Sequence, residues 1–255
     1  MTAMRADTRR AHARPTAALA GALIALVAFT AGMPLLKPLF AAAFPELDRP
    51  LYEQESFFSL LLAHIGLVAA SSAVSIAVGV ALGVFVTRRA GREFRSLVQT
   101  VVAMGQTVPP LAVLAIAVPV LGFGEAPALV ALALYGVLPI VHGTLAGIES
   151  VSASVREAAR GLGFTELQVL VRVELPLAWP MLLTGIRTSV IVNIGTAAIA
   201  STVGTRTLGS PIIIGLSGFN TAYVIQGAVL VGLLAIATDL AFDALSRLYS
   251  RPHDL

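Results

Sequence analysis

The chain has 255 residues, 57% of them hydrophobic and 12% charged, with a formal net charge of +3. Soluble domains carry about 25% charged residues, so this composition points to a membrane protein. Cysteine is absent, which excludes disulfides and cysteine-ligated metals; the single lysine, Lys37, follows Leu35-Leu36 rather than a glycine, which excludes a phosphate loop of the GxxxxGK[ST] kind.

Crossing a bilayer as a helix takes about 20 mostly apolar residues. Six runs qualify: 16–36, 57–86, 97–121, 127–148, 179–203 and 221–245. None shows the alternation of a membrane β-barrel, so the expected fold is all-α with about six transmembrane helices. Arg5, Arg9, Arg10 and Arg14 precede the first run. A cleaved signal peptide is the alternative reading of that segment, and it would leave five spans. The second run ends at an arginine-rich loop with Arg88, Arg89, Arg92 and Arg95.

The third run, "GQTVPPLAVLAIAVPVLG", holds Pro109, Pro110 and Pro119. These remove backbone donors and predict a kink or break. Gln106 and Thr107 beside the break are candidates for a solute path, as is Tyr135 in the fourth run, whose ring could face a quaternary ammonium. Packing is the plainer reading of Tyr135, and a satisfied histidine the plainer reading of His142. Gly143 and Gly147 form a small-xxx-small pair suited to close helix packing.

Between the fourth and fifth runs lies "REAARGLGFTELQVLVRVELP", residues 156–176, with Arg156, Arg160 and Arg172. Ser154 to Glu157 and Thr165 to Gln168 each fit a capping box. Gly161 and Gly163 lie between them, and Gly163 is expected at positive φ. Pro176 is expected to end the second helix and Pro180 to start the next span. The segment reads as helix–turn–helix, either an amphipathic linker on lipid headgroups or a docking device. In the fifth run Asn193, Thr196 and Ser201 could line a path, or bond to their own helix backbone. Arg187 sits near the start of that span. In the sixth, Asp243 can pair with Arg247, and Arg251 follows.

The arginine clusters fall on one side of a six-span chain, and Lys37, Arg49 and Arg206 fall on the other. The positive-inside rule therefore places both termini and residues 156–176 in the cytoplasm. Basic clusters between apolar runs suit membrane topology, with no nucleic-acid partner expected.

Glu157-Ala158-Ala159, three residues, Gly163, nine residues, Val173, one residue, Leu175-Pro176 resembles the EAA signature of ABC importer permeases. Val173 stands where that signature has isoleucine. "GQTVPPLAVLAIAVPVLGFGEAPALVALALYGVLPIVHGTLAGI" and "GIRTSVIVNIGTAAIAS" are similar to the osmoprotectant subgroup, and the likeness covers about residues 60–245. That resemblance implies a type I importer permease, without enzymatic activity, in the bacterial inner membrane. A coupling loop, about 150–176, would dock on a dimer of separate ATPase subunits, with Glu157, Ala158, Ala159, Gly163, Leu175 and Pro176 as its signature residues. No cofactor is expected in this chain, because ATP would be bound by the partner. A second permease, identical or paralogous, would complete the pathway, and an extracytoplasmic binding protein would deliver glycine betaine, choline or carnitine. Residues 1–56 would form an N-terminal basic segment, first helix and external loop, residues 57–245 the core, and 246–255 a cytoplasmic tail. Where the subgroup has a G-x-G-G-L-G stretch, this chain has Gly204-Thr-Arg-Thr-Leu-Gly209, which suggests one of two unlike permease subunits. The alternatives are a permease for another small polar solute such as an amino acid, or an ion-coupled secondary transporter. The latter usually needs midplane carboxylates, and none lies centrally in these runs. A membrane enzyme finds no HExxH, no GxSxG and no paired intramembrane acids here.

Overall fold

A computed structural model describes residues 2–249, with side chains from residue 16 onward. Arg5, Arg9, Arg10 and Arg14 belong to the stretch whose side chains lie outside that description, and Arg251 lies outside the described residues altogether. Among the described residues all regular structure is helical. Helix α1 spans Thr2–Gly32, and a short 3₁₀ turn leads into α2, Lys37–Ala43. Then come α3 (Phe57–Thr87), α4 (Arg95–Thr107), α5 (Pro110–Leu121) and α6 (Glu125–Ser150). The remaining helices are α7 (Ala153–Gly161), α8 (Glu166–Val169), α9 (Leu175–Ala197), α10 (Ser210–Ser217) and α11 (Thr221–Tyr249).

Among the described residues five segments are long and apolar enough to cross a membrane: Thr16–Ala43, Phe57–Thr87, Glu125–Ser150, Glu166–Ala197 and Thr221–Tyr249. The third apolar run is not a straight span. Its two helices, α4 and α5, meet at 93°. Val108 takes an extended conformation (φ −76°, ψ 126°), as a residue before proline must, and Pro109 and Pro110 offer no donors to the preceding turn. The helix restarts as Ala112 and Val113 donate to the Pro109 carbonyl. Pro119 lies inside α5 without ending it.

The chain divides into two compact units. The first takes in residues up to Val68, Leu121–Ala128 and those from Ile194 onward; the second is Ala69–Val120 and Leu129–Asn193.

In the second unit α6 packs closely against α9, through the small residues expected to do so. A Cβ on Gly143 would lie 2.8 Å from the Met181 carbonyl oxygen, and one on Gly147 2.7 Å from that of Ala178. Facing them, a Cβ on Gly185 would lie 2.5 Å from the Pro139 oxygen. Without these three hydrogens-for-methyls the backbones could not approach, and close approach is what drives association where lipid offers no hydrophobic contrast. Val86, Val102, Val137, Val141 and Leu145 then bring α3, α4 and α6 into one apolar cluster.

In the first unit Gln226, fully buried on α11, holds the segment before α3. Its side-chain amide donates to the Pro50 carbonyl at 2.7 Å and accepts from the Tyr52 amide at 3.0 Å. Tyr52 packs edge-on against Tyr223. His64 accepts at Nδ1 from the Leu208 amide (3.3 Å), which leaves Nε2 to donate to the Ile194 carbonyl (3.1 Å).

Candidate functional site

The segment 150–176 is built as two helices about a glycine turn, with its boundaries set differently from the sequence expectation. Ser152 caps α7, accepting from the Val155 amide, and the Ser154–Glu157 box does not form. Ser154 lies two residues past the cap, already inside α7; its hydroxyl instead meets that of Ser152. The end of α7 is a Schellman closure. The Phe164 amide donates to the Ala159 carbonyl (3.1 Å) and the Gly163 amide to that of Arg160 (2.9 Å). This closure needs a left-handed residue at Gly163, which sits at φ +84°. The second capping box forms as expected: the Gln168 amide donates to the Thr165 hydroxyl and the Thr165 amide to the Gln168 side chain. Arg160 and Glu166 clasp the turn through two hydrogen bonds, 2.7 and 3.1 Å. That bond raises the Arg160 pKa above its already high ordinary value, so the guanidinium never discharges.

Pro176 does not end the second helix, and Pro180 lies inside α9 rather than at a start. A π-turn over Leu170–Glu174 intervenes, in which the Leu175 amide reaches back to the Leu170 carbonyl. The wider turn carries the chain helically past the donor missing at Pro176.

That π-turn ends on Glu174, a residue the sequence reading did not single out. Its carboxylate is 2% exposed. Arg88, from the loop after α3, donates to it at 2.6 Å, and Arg156 of α7 at 3.4 Å. Arg156 also donates to the Val151 carbonyl at 2.6 Å. Three parts of the chain are thus tied to one buried carboxylate: the arginine-rich loop, α7 and the base of α9. Arg95 adds a bidentate pair with Glu149 at the end of α6. The sequence signal for Glu174 was a carboxylate between the apolar Val173 and Leu175; its partners, 86 and 18 residues away, were not visible.

Of the signature residues, Ala159 is buried, Leu175 half-buried, and Glu157, Ala158, Gly163 and Pro176 exposed. Leu162 (79%), Leu167 (69%) and Val171 (53%) present large apolar side chains to the outside. The segment is therefore tied to the rest of the unit through Glu174 and carries three exposed large apolar side chains among its charged ones.

Of the six residues put forward for a solute path, Gln106, Thr107, Tyr135 and Asn193 belong to the second unit and Thr196 and Ser201 to the first. Gln106 and Tyr135 are joined, the Gln106 amide donating to the Tyr135 carbonyl at 2.7 Å. Thr107 is exposed and bonds to its own helix at Met104. Asn193 is fully buried and donates to Ser71 and Ser72 of α3 at 3.4 and 3.3 Å. Its Oδ1, the Ser189 Oγ and the Tyr135 Oη are buried without a hydrogen-bond partner among the described residues. In the first unit, Ser201 meets Thr207 (2.8 Å) and Ser210 (3.3 Å), and Thr196 is half-buried. The unusual Thr205-Arg206-Thr207 stretch is held in place. Thr205 donates to the Gly124 carbonyl, Arg206 pairs with Glu55 at 2.6 Å, and Thr207 accepts from the Gly209 amide. Asp243 and Arg247 form the expected pair at 2.9 Å.

Residues 79–251 match the model of a family described as binding-protein-dependent transport system inner membrane component. The osmoprotectant import permease protein OsmY of Salmonella typhimurium is 41% identical over 190 residues, 74% of this chain and 80% of that protein. The choline transport system permease protein OpuBB of Bacillus subtilis is 41% identical over 184 residues, 72% of this chain and 84% of that one. Among solved structures, an inward-facing form of the MetNI methionine ABC transporter superposes with a TM-score of 0.67 at 23% identity. It covers 78% of this chain and 100% of that one, a likeness of fold.

Proposed function

The chain belongs to the family of binding-protein-dependent transport system inner membrane components, multi-pass permease subunits of ABC importers, and from that premise we propose that it imports a quaternary-amine osmoprotectant such as glycine betaine, choline or carnitine. The observation that carries the substrate class is the 41% identity to permeases named for osmoprotectant and choline import.

In this reading residues 57–245 form the permease core, with 1–56 an N-terminal segment and 246–255 a tail, both termini cytoplasmic. Residues 154–176 couple the core to a separate ATPase dimer, which binds the ATP. A second permease, identical or paralogous, completes the pathway, and an extracytoplasmic binding protein delivers solute. The coupling role draws support from the Schellman turn at Gly163, the exposed apolar side chains of Leu162, Leu167 and Val171, and the tie through Glu174. Such a segment can pass a rigid displacement from a docked partner to α9 and α3 together, which makes it a two-state element biased by nucleotide. Gln106, Thr107, Tyr135, Asn193, Thr196 and Ser201 remain the proposed path residues. Those with unpartnered buried oxygens, Tyr135 and Asn193, are the ones whose polar atoms would gain partners when the path opens.

The test is uptake of labelled glycine betaine, choline, carnitine and methionine by cells lacking their own carriers. They would express the chain with its ATPase and binding protein. Uptake of a quaternary amine and not of methionine is expected; uptake of methionine alone overturns the substrate reading.

A further inference from the structure

We propose that the arginine cleft beside the coupling segment is a binding site for a phosphate group, carried by an anionic phospholipid headgroup or by a soluble phosphate compound. The cleft measures about 450 Å³ and is lined by Arg88, Arg89, Arg92, Arg156 and Arg160 with two carboxylates, an excess of three positive charges. Three of the guanidiniums are engaged: Arg88 and Arg156 with Glu174, and Arg160 with Glu166. Arg89 and Arg92 are exposed and have no ion pair among the described residues. Each offers a planar fork of N–H donors whose geometry matches two phosphate oxygens. A concave site with surplus guanidinium charge and spare donors selects an anion of high charge density, and phosphate satisfies it better than a single carboxylate.

A second observation bears on the source of the phosphate. Phe85 and Phe94 bracket the arginine loop in sequence and stack on each other, ring centroids 6.2 Å apart. Both are largely exposed, as is Leu97 in the first turn of α4. Charged donors and open apolar side chains on the same short stretch of chain suit a headgroup and its acyl chains. Basic pockets at the ends of transmembrane helices bind anionic headgroups in this way. The site goes beyond the transport reading and does not depend on it.

The experiment uses the full chain purified in detergent, without ATPase or binding protein, so its failure leaves the transport reading untouched. Native mass spectrometry follows retention of phosphatidylglycerol and of phosphatidylcholine, and a parallel titration uses inorganic phosphate. The variant is Arg89→Gln with Arg92→Gln, which leaves the ties to Glu174 and Glu166 intact; Arg247→Gln is the charge control. The wild type and control should retain phosphatidylglycerol over phosphatidylcholine, and the double variant should lose about tenfold in that retention. If inorganic phosphate binds as well and displaces the lipid, the source is soluble; if it does not, the source is the membrane. Equal phosphatidylglycerol and phosphate binding by wild type and double variant overturns the proposal. It is overturned too if the wild type retains phosphatidylglycerol no better than phosphatidylcholine and binds no inorganic phosphate.

Discussion

Arg88 donates to the buried carboxylate of Glu174 at 2.6 Å, joining the loop after α3 to the base of α9 across 86 residues of sequence. Removing one partner of such a pair leaves the other desolvated without compensation. Arg88 and Arg156 are about a quarter exposed and can turn toward water, so the loss falls mainly on the carboxylate's hydrogen bonds. Glu174→Gln should cost about 1.5–3 kcal/mol. It should lower the thermal unfolding midpoint in detergent. The Arg88→Gln, Glu174→Gln double variant should be less destabilised than the sum of its parts; strict additivity would show that the pair is not coupled.

Gly163 makes a different demand, since its position is left-handed and nothing lies near the absent Cβ. The obstacle there is conformational, about 1–2 kcal/mol for an L-residue and more for a β-branched one. Gly163→Val should insert normally yet lose solute uptake and solute-stimulated ATP hydrolysis. Gly163→Asn, whose side chain tolerates this region, should keep most of both. Equal transport by the valine variant removes Gly163 from the coupling role.

Two glycines inside long helices, Gly185 on α9 and Gly66 on α3, differ in what surrounds them. Gly185→Ala would press a methyl to 2.5 Å from the Pro139 oxygen, whereas Gly66→Ala meets nothing within 4 Å. The first should reduce yield and unfolding temperature. The second should be neutral, or stabilising by up to about 1 kcal/mol through helix propensity. Matched thermal scans of both variants decide it.

Gln226 binds both Pro50 and Tyr52 from within α11. Gln226→Leu keeps the volume and strands two backbone groups, at a cost of about 1–3 kcal/mol for each one left unsatisfied. The segment 44–56 should become sensitive to limited proteolysis in the variant while the wild type resists.

Helix composition, the break at Pro109-Pro110, the turn at Gly163 and the Thr165–Gln168 box were legible because each is a local event with a local cause. Proline removes its own donor, and a left-handed glycine closes its own helix. Ser152 in place of Ser154 was a two-residue error in choosing among adjacent capping residues. Helical passage through Pro176 was missed because a π-turn absorbs the missing donor, and no local pattern announces a wider turn. Glu174, His64 and Gln226 were missed for another reason: each is satisfied by groups distant in sequence, and a buried polar residue in an apolar run tells only that some partner exists. The glycine pair on α6 was read correctly as a packing face, though its partner Gly185 was not.

The most direct measurement uses the chain's lack of cysteine. Leu162→Cys places one thiol at an exposed apolar position of the segment 154–176, and Phe219→Cys places one on a comparably open residue after α10. Each is expressed with the ATPase and binding protein and treated with a short thiol-to-amine cross-linker. Residues 154–176 as the ATPase contact predict a cross-linked permease–ATPase product from Leu162→Cys and none from Phe219→Cys. No ATPase product from Leu162→Cys, or an equal one from Phe219→Cys, would contradict it.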